Sequence, residues 1–377
     1  MFKRFLLLPV DWITLIIPFI LTVTGIITIY TITFAQQKPG LATSQIIFGA
    51  IGVVTMVVMM FADYRQLRSY ANVLYFLGVA ALLLLIPPIA HRVPFALKIF
   101  GAYRWINLGF FQLQPGEIFK LIAAVFGAKI LTQHVDQINW KKTIVYILLA
   151  LLPAALILVQ PDLGTASVVL VVFAASFLAA RPPGRIVGTI FLFFIIAIPL
   201  LWSGLHPYQK KRVETLINPA SDPQGQGYNV IQSKIAVGSG GLTGRGFGQG
   251  SQTVLNFLPV AHTDFVFSGF AEATGFVGSI VLIFLYMLLV YRTLTIASIS
   301  QDKFGQLLAV AIGAKFLFQV TVHVGMNLGM LPVTGIPLPF MSYGGTSLIG
   351  DWIAIGILQS IHIRHSRGWF SGGKQLT

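Results

Sequence analysis

The chain has 377 residues, 56% of them hydrophobic and only 10% charged, where a soluble globular domain carries about 25% charged residues. That composition excludes an ordinary water-soluble fold, and the absence of cysteine excludes disulfides, thiolate nucleophiles and cysteine-ligated metals. The formal net charge of +14 does not point to nucleic acid: the basic residues are dispersed among loops, as in membrane proteins that collect Lys and Arg beside anionic lipid.

Apolar runs of about 20 residues, long enough for a hydrocarbon core of ~30 Å, recur along the sequence. Ten spans are predicted, at about 12–34, 41–62, 71–90, 117–135, 143–159, 163–180, 186–204, 264–290, 306–330 and 345–363. The expected fold is all-α: a polytopic membrane helix bundle of about ten transmembrane helices, one integral membrane domain over 1–377, with a large extracytoplasmic loop, 205–263, between helices 7 and 8. The first run is too long for a signal-peptide core and is read as a retained helix. Lys3, Arg4, Arg65, Arg68, Lys141, Lys142, Arg181, Arg185, Arg292, Lys303, Arg364, Arg367 and Lys374 fall in one set of loops and tails. Both termini are therefore expected to be cytoplasmic, in the cell inner membrane.

On the opposite face, the loop 91–116 holds Arg92, Lys98 and Arg104, and the loop 205–263 holds Lys210, Lys211, Arg212, Lys234 and Arg245. The second is taken as the only segment large enough for structure outside the bilayer, with a short interfacial helix over Tyr228 to Val237. The fourth span opens with QPGEIFKL, where Glu117 and Lys120 are three apart and can pair; Lys120 can instead present its ammonium to a phosphate. The sixth opens with QPDLGTA, where Asp162 reads as a capping residue. Gly238 to Gly250 is glycine-rich without being a Walker loop or GxGxxG. It suits close backbone packing or a hinge, or else a lid or a nest of amides for an anion.

The stretch Phe257 to Gly275, FLPVAHTDFVFSGFAEATG, is the strongest functional candidate. Pro259, His262 and Thr263 carry polar and turn chemistry. Thr263 is expected to cap the eighth span, with Asp264 in its first turn. A carboxylate there touches water on one side and a low-dielectric wall on the other, where a base can be tuned. Asp264, Ser268 and Glu272 are spaced by four, one stripe on a helix. Glu272 would lie about 12 Å below the mouth. Lys315, Gln319, His323 and Asn327 form a second such stripe, read mainly as interhelical hydrogen bonding. Both Glu272 and Lys315 would be near mid-depth, so they are expected to pair, with Asp351 as the competing partner for Lys315. Residues 331–347, LPVTGIPLPFMSYGGTS, cannot form a spanning helix. They make a rigid surface loop or a re-entrant segment, and the hydroxyl of Ser342 suits a sugar or phosphate as well as turn bonding.

Taken together, LPVAHTDF followed by AEATG, QPDLGTA, the NPASDPQGQGYNVIQSKIAVGSGGLTGRGFGQGSQ loop and PVTGIPLPFMSYGGTS resemble the SEDS family of shape, elongation, division and sporulation membrane proteins. PYQKKRVETLINPASDP looks most like its elongation, RodA-like branch. The resemblance runs over nearly the whole chain. It implies a ten-helix peptidoglycan glycosyltransferase that polymerises lipid II, and partnership with a class B penicillin-binding protein, the transpeptidase. It also implies an essential Asp264, with roles for Glu117, Lys120, Arg104 and Arg212. Three positions depart from the family pattern: Ala273 stands where a second glutamate is frequent, Arg245 where lysine is common, and Gly116 where serine is usual.

The residues suit that chemistry on their own terms. Extending a glycan on a polyprenyl diphosphate needs a hydroxyl nucleophile, which a positioned carboxylate base assists. It also needs cations for the leaving diphosphate. Asp264 is the candidate base. Glu117, Lys120, Arg104, Arg212, Lys234 and Ser342 are candidates for substrate binding, and His262, Glu272, Lys315 and Asp162 for support. No metal or cofactor is called for, although a divalent cation could assist the diphosphate. A flippase for the same lipid and a non-catalytic scaffold for a synthase are the alternatives.

Overall fold

The computed structural model describes residues 9–35, 40–99, 101–109, 111–133, 138–204, 207–218, 222, 225–255, 257–258 and 260–371. Lys3, Arg4, Lys374, Pro259 and most of the NPASDP segment lie outside them.

Helices form where apolar runs are uninterrupted, because a chain in hydrocarbon must satisfy its own amides. In order they are α1 (Trp12–Ala35), α2 (Gly40–Phe61), α3 (Tyr64–Leu83), the single turn α4 (Pro87–Ala90), α5 (Pro115–Thr132), α6 (Trp140–Val159), α7 (Leu163–Ala179) and α8 (Gly184–Gly204). There follow α9 (Pro207–Ile217), α10 (Gln226–Ser239), the short α11 (Ser251–Val254), α12 (Val266–Ile299), α13 (Lys303–Asn327) and α14 (Gly345–Ser371). Among the described residues, α1, α2, α6, α12, α13 and α14 are long and apolar enough to cross a membrane. The starts of α3, α7 and α13 are set by side chains that satisfy otherwise unpaired amides: Asp63 accepts from Arg65 N at 2.9 Å, Asp162 from Thr165 N at 3.0 Å and Asp302 from Gly305 N at 2.8 Å. Asp162 is thus the cap that its sequence context indicates.

The described residues are mostly helical, as expected, but not purely so. Residues 96–113 make a three-stranded antiparallel sheet, β1 (Ala96–Ile99), β2 (Ala102–Asn107) and β3 (Gln112–Leu113), in the order β1-β2-β3. Ala96 pairs with Ile106, and Ile106 with Leu113. The loop 205–263 is therefore not the only structured segment between spans. The signal was local: Ala102 and Ile106 face inward on a strand whose next-door residues do not, and windows of about 20 residues average out that two-residue period.

The interior is built on α13, which packs on α12, α7 and α5, while α14 lies along α2. α12 is 34 residues long but breaks at Gly275 (φ 69, ψ −163). A side chain there would meet Gly244 N at 2.3 Å and Leu242 O at 2.7 Å. The glycine-rich loop occupies the break: Phe276 N donates to Gly241 O at 2.9 Å, Val277 N to Leu242 O at 3.1 Å, Arg245 N to Glu272 O at 3.0 Å and Gly246 N to Ala273 O at 2.9 Å. Two amides and two carbonyls at the break thus find backbone, an approach so close that it favours glycine in this loop. Of the readings open for it, close backbone packing is what forms.

The break also corrects the expected Glu272–Lys315 pair. The helix after Gly275 has 24 residues (276–299), about 36 Å by helical rise and enough to cross by itself. Glu272 belongs to the segment before the break. Its carboxylate accepts from Gln252 N (2.8 Å), Thr253 N (3.1 Å), Thr253 Oγ1 (2.9 Å) and Ser239 Oγ (3.3 Å), capping α11 from outside. Lys315 pairs instead with Asp351 on α14, both buried.

Candidate active site around Asp264

Asp264 lies in a turn before α12, not in the first turn of the helix. The N-cap position is Phe265, which gives no side-chain cap. Asp264 N and Thr263 N both donate to Val260 O, at 3.2 and 3.1 Å. Val260 has φ 52, a left-handed conformation that a β-branched residue adopts only under constraint. The expected cap by Thr263 therefore does not form: the helix starts two residues later, after Phe265, and the Thr263 hydroxyl donates to Val260 O at 3.3 Å. The service comes from another helix: Asn327 Oδ1, at the end of α13, accepts from Ser268 N at 3.1 Å.

Three successive carbonyls of this turn are each held by a separate donor. His262 O accepts from Tyr343 N at 2.9 Å, Thr263 O from Ser342 Oγ at 2.7 Å and Asp264 O from Asn327 Nδ2 at 3.0 Å. Two of these donors lie in the segment 331–344, which is buried at Ile336, Leu338, Phe340 and Met341. Its non-helical backbone is thus enclosed by protein over most of 336–342, one of the settings in which such backbone is tolerated at membrane depth. Gln45 on α2 grips it with both ends of its amide: Nε2 donates to Ser342 O at 3.0 Å, and Oε1 accepts from Gly344 N at 3.2 Å. His323 Nδ1 lies 2.7 Å from Ile336 O. Ser342 Oγ also accepts from Leu338 N at 2.9 Å, so its hydroxyl serves the loop and the turn. His262 rests edge-on against Tyr343, 5.7 Å between ring centroids.

Asp264 is half-buried as a residue. Burial pushes its carboxyl above the ordinary carboxylate range; the Thr263 hydroxyl and the guanidinium of Arg212 pull it back, Asp162 adds to the rise, and Arg104 opposes it. Asp264, Asp162, Arg104 and Arg212 therefore form one electrostatic group. Arg104, on β2, donates from Nε to Gln160 O at 2.8 Å and also reaches Pro161 O, so the sheet is fastened to the QPDLG turn. Asp162 is engaged by the Thr165 hydroxyl at 3.0 Å and by Gln114 Nε2 at 3.2 Å. The turn also touches the 331–344 segment: a side chain at Gly164 would meet Thr334 O at 2.7 Å. Lys234, exposed on α10, lays its stem beside Gly329.

A second group of charges is internal. Lys120 Nζ lies 2.6 Å from Glu117 Oε1, both buried, so Lys120 serves its near neighbour rather than an outer surface. Glu117 and Lys120 lie within electrostatic reach of Asp351, the partner of Lys315. Asp351 also accepts from Phe340 N at 3.3 Å, another residue with positive φ (65). Among the described residues no group of three or more His, Cys, Asp or Glu could hold a metal ion.

The helical bundle that carries this turn resembles known proteins over nearly its whole length. The family model FtsW/RodA/SpoVE, described as cell cycle protein, matches residues 7–367. The chain belongs to this family. It is 40% identical over 314 residues to the peptidoglycan glycosyltransferase MrdB of Escherichia coli K12, covering 83% of each chain. It is 32% identical to the peptidoglycan glycosyltransferase RodA of Treponema pallidum, over 94% of this chain and 98% of that one. Among solved structures, it resembles a chain from a study of structural coordination of polymerization and crosslinking by a peptidoglycan synthase complex, with TM-score 0.78, 32% identity, and coverage of 95% and 98%. The rod shape determining protein RodA of Thermus thermophilus matches with TM-score 0.70 at 28% identity, over 94% of this chain and 97% of that one.

Within this family member, sequence reasoning missed two supports of the turn and undervalued a third. Gln45 and Ser233 were not singled out, and Asn327 was read as one more interhelical contact. Gln45 had a signal: a lone amide in an apolar span must face protein. Ser233 had none, since a serine on a short amphipathic helix is unremarked until its neighbour across the fold is known.

Proposed function

We infer that the chain is a peptidoglycan glycosyltransferase that polymerises lipid II into glycan strands at the outer face of the cytoplasmic membrane, with Asp264 as general base. The observation that carries this reading is the anchoring of Asp264: three neighbouring carbonyls are fixed, and two arginines lie within electrostatic reach of its carboxylate. A base raised above the ordinary carboxylate range sits closer to working pH and takes a proton more effectively. Asp264 accepts the proton of the attacking sugar 4-hydroxyl. Arg212, Arg104 and Lys234 offset charge on the departing diphosphate, and the linkage formed is inverted, since one displacement uses one base. Glu117 and Lys120 support the start of α5 beside the QPDLG turn.

The chain is read as one integral membrane domain that crosses ten times, with both termini cytoplasmic. The helices at the predicted spans and the distribution of Lys and Arg support this. The partner is a class B penicillin-binding protein, which the resemblance to a chain of a peptidoglycan synthase complex supports. The test is purified protein in detergent with labelled lipid II, wild type against Asp264→Asn. Polymer from wild type alone bears the reading out. Transbilayer movement in vesicles without polymer overturns it in favour of a flippase, and polymer from both removes Asp264 as base.

A further inference from the structure

Asn327 is the last residue of α13 and is fully buried. Its amide is used at every site. Nδ2 donates to Asp264 O at 3.0 Å and to His323 O at 2.8 Å. Oδ1 accepts from Ser268 N at 3.1 Å and from Ser268 Oγ at 2.6 Å. The orientation of the amide follows from its partners: two carbonyls demand donors and one backbone N–H demands an acceptor, so a flipped amide would fail at all three. Around it, Ser233 Oγ lies 2.7 Å from Asn327 O and 2.6 Å from Ser268 Oγ. Two hydroxyl protons are shared among these three short contacts, so two of them are hydrogen bonds at any one time, in a cluster joining α10, α12 and α13.

We infer that Asn327 is the positioning residue for Asp264, an inference that rests on the reading of Asp264 as general base. One planar group fixes two things at once. Through Oδ1 it caps α12 at Ser268, a role that normally falls to the residue preceding a helix. Through Nδ2 it holds the carbonyl of Asp264 itself. The distance between the start of α12 and the base is therefore set by the rigid amide of Asn327 and not by the turn alone. The other two anchors act on neighbouring residues, at His262 O and Thr263 O. Of these three anchors, only Asn327 bonds Asp264 itself, the residue whose carboxylate reacts.

The test separates the two arms of the amide. Asn327→Thr keeps a donor for His323 O one turn earlier but is too short to reach Asp264. Asn327→Asp keeps size and the acceptor for Ser268 but cannot donate to Asp264. Ser268→Ala removes the hydroxyl from the acceptor arm and leaves the bond to Asp264. With labelled lipid II, the two Asn327 variants are expected to lose about 10²-fold in kcat, the scale of a misplaced catalytic group, with KM little changed. Ser268→Ala is expected to stay close to wild type. Equal losses in all three, a loss carried by KM, or failure of both Asn327 variants to give folded protein would make Asn327 a packing residue and overturn the inference. Asp264→Asn is measured alongside. If it retains turnover, the reading of the base fails; if it is inactive while both Asn327 variants turn over normally, only the present inference fails.

Discussion

Asp264 and Glu272 are acids eight residues apart on either side of the start of α12, and the protein treats them oppositely. Glu272 is fully buried and accepts from two backbone amides and two hydroxyls. Every lone pair that could act on a substrate is occupied. Asp264 has its backbone clamped, and its carboxylate lies under the influence of the Thr263 hydroxyl, Arg212 and Arg104. A carboxylate saturated with donors stabilises structure; one whose main chain is fixed and whose oxygens are not saturated can do chemistry. The same length of sequence thus contains a structural acid and a reactive one, and the difference lies in what hydrogen-bonds to them.

The contrast breaks most sharply on rate. Asp264→Asn is expected to lower turnover by ~10²–10⁴-fold, the usual cost of losing a general base, while thermal melting and detergent monodispersity stay normal. Near-normal turnover would put the two acids in one class.

The next effect lies in the interior. Lys315→Met leaves Asp351 buried and unpaired, which typically costs about 3–5 kcal/mol. Lys315→Met with Asp351→Asn keeps an acceptor for Phe340 N and should recover much of that loss in a melting experiment. No recovery would mean that the two residues act separately and that their contact contributes little.

Glu272→Gln keeps one carbonyl acceptor but turns an NH2 toward donors around Thr253. Loss of one buried acceptor costs about 1–3 kcal/mol. Turnover per folded molecule should remain near wild type. A fully stable but inactive Glu272→Gln would show Glu272 to be chemical after all.

The smallest effect concerns pH. A base must be ionised, and burial holds Asp264 above the ordinary carboxylate range. Turnover should therefore fall as pH drops through a value higher than that of a free aspartate. Arg212→Gln removes a charge that pulls this value down, so the acid limb of the kcat profile should move to higher pH. A shift to lower pH would exclude Arg212 from the electrostatic group of Asp264.

Apolar run length by itself determined the helical membrane class, because backbone amides in hydrocarbon have no partner but the helix. Local chemistry also placed Asp162 as a cap and Glu117 beside Lys120, since both depend on residues three apart. Asp264 was singled out from its neighbours in the same way. The sheet at 96–113 was legible only at a two-residue period. What the tertiary structure alone decided was the partner of each buried charge and the start of α12. Lys315 met Asp351 rather than Glu272 because a single glycine, Gly275, broke α12 and set Glu272 outside the span, among amides that a loop 20 residues earlier brought to it. The cap of α12 came from Asn327, 59 residues away in sequence. Contacts between distant segments depend on where helices end and how loops return, and no spacing within one helix carries that information.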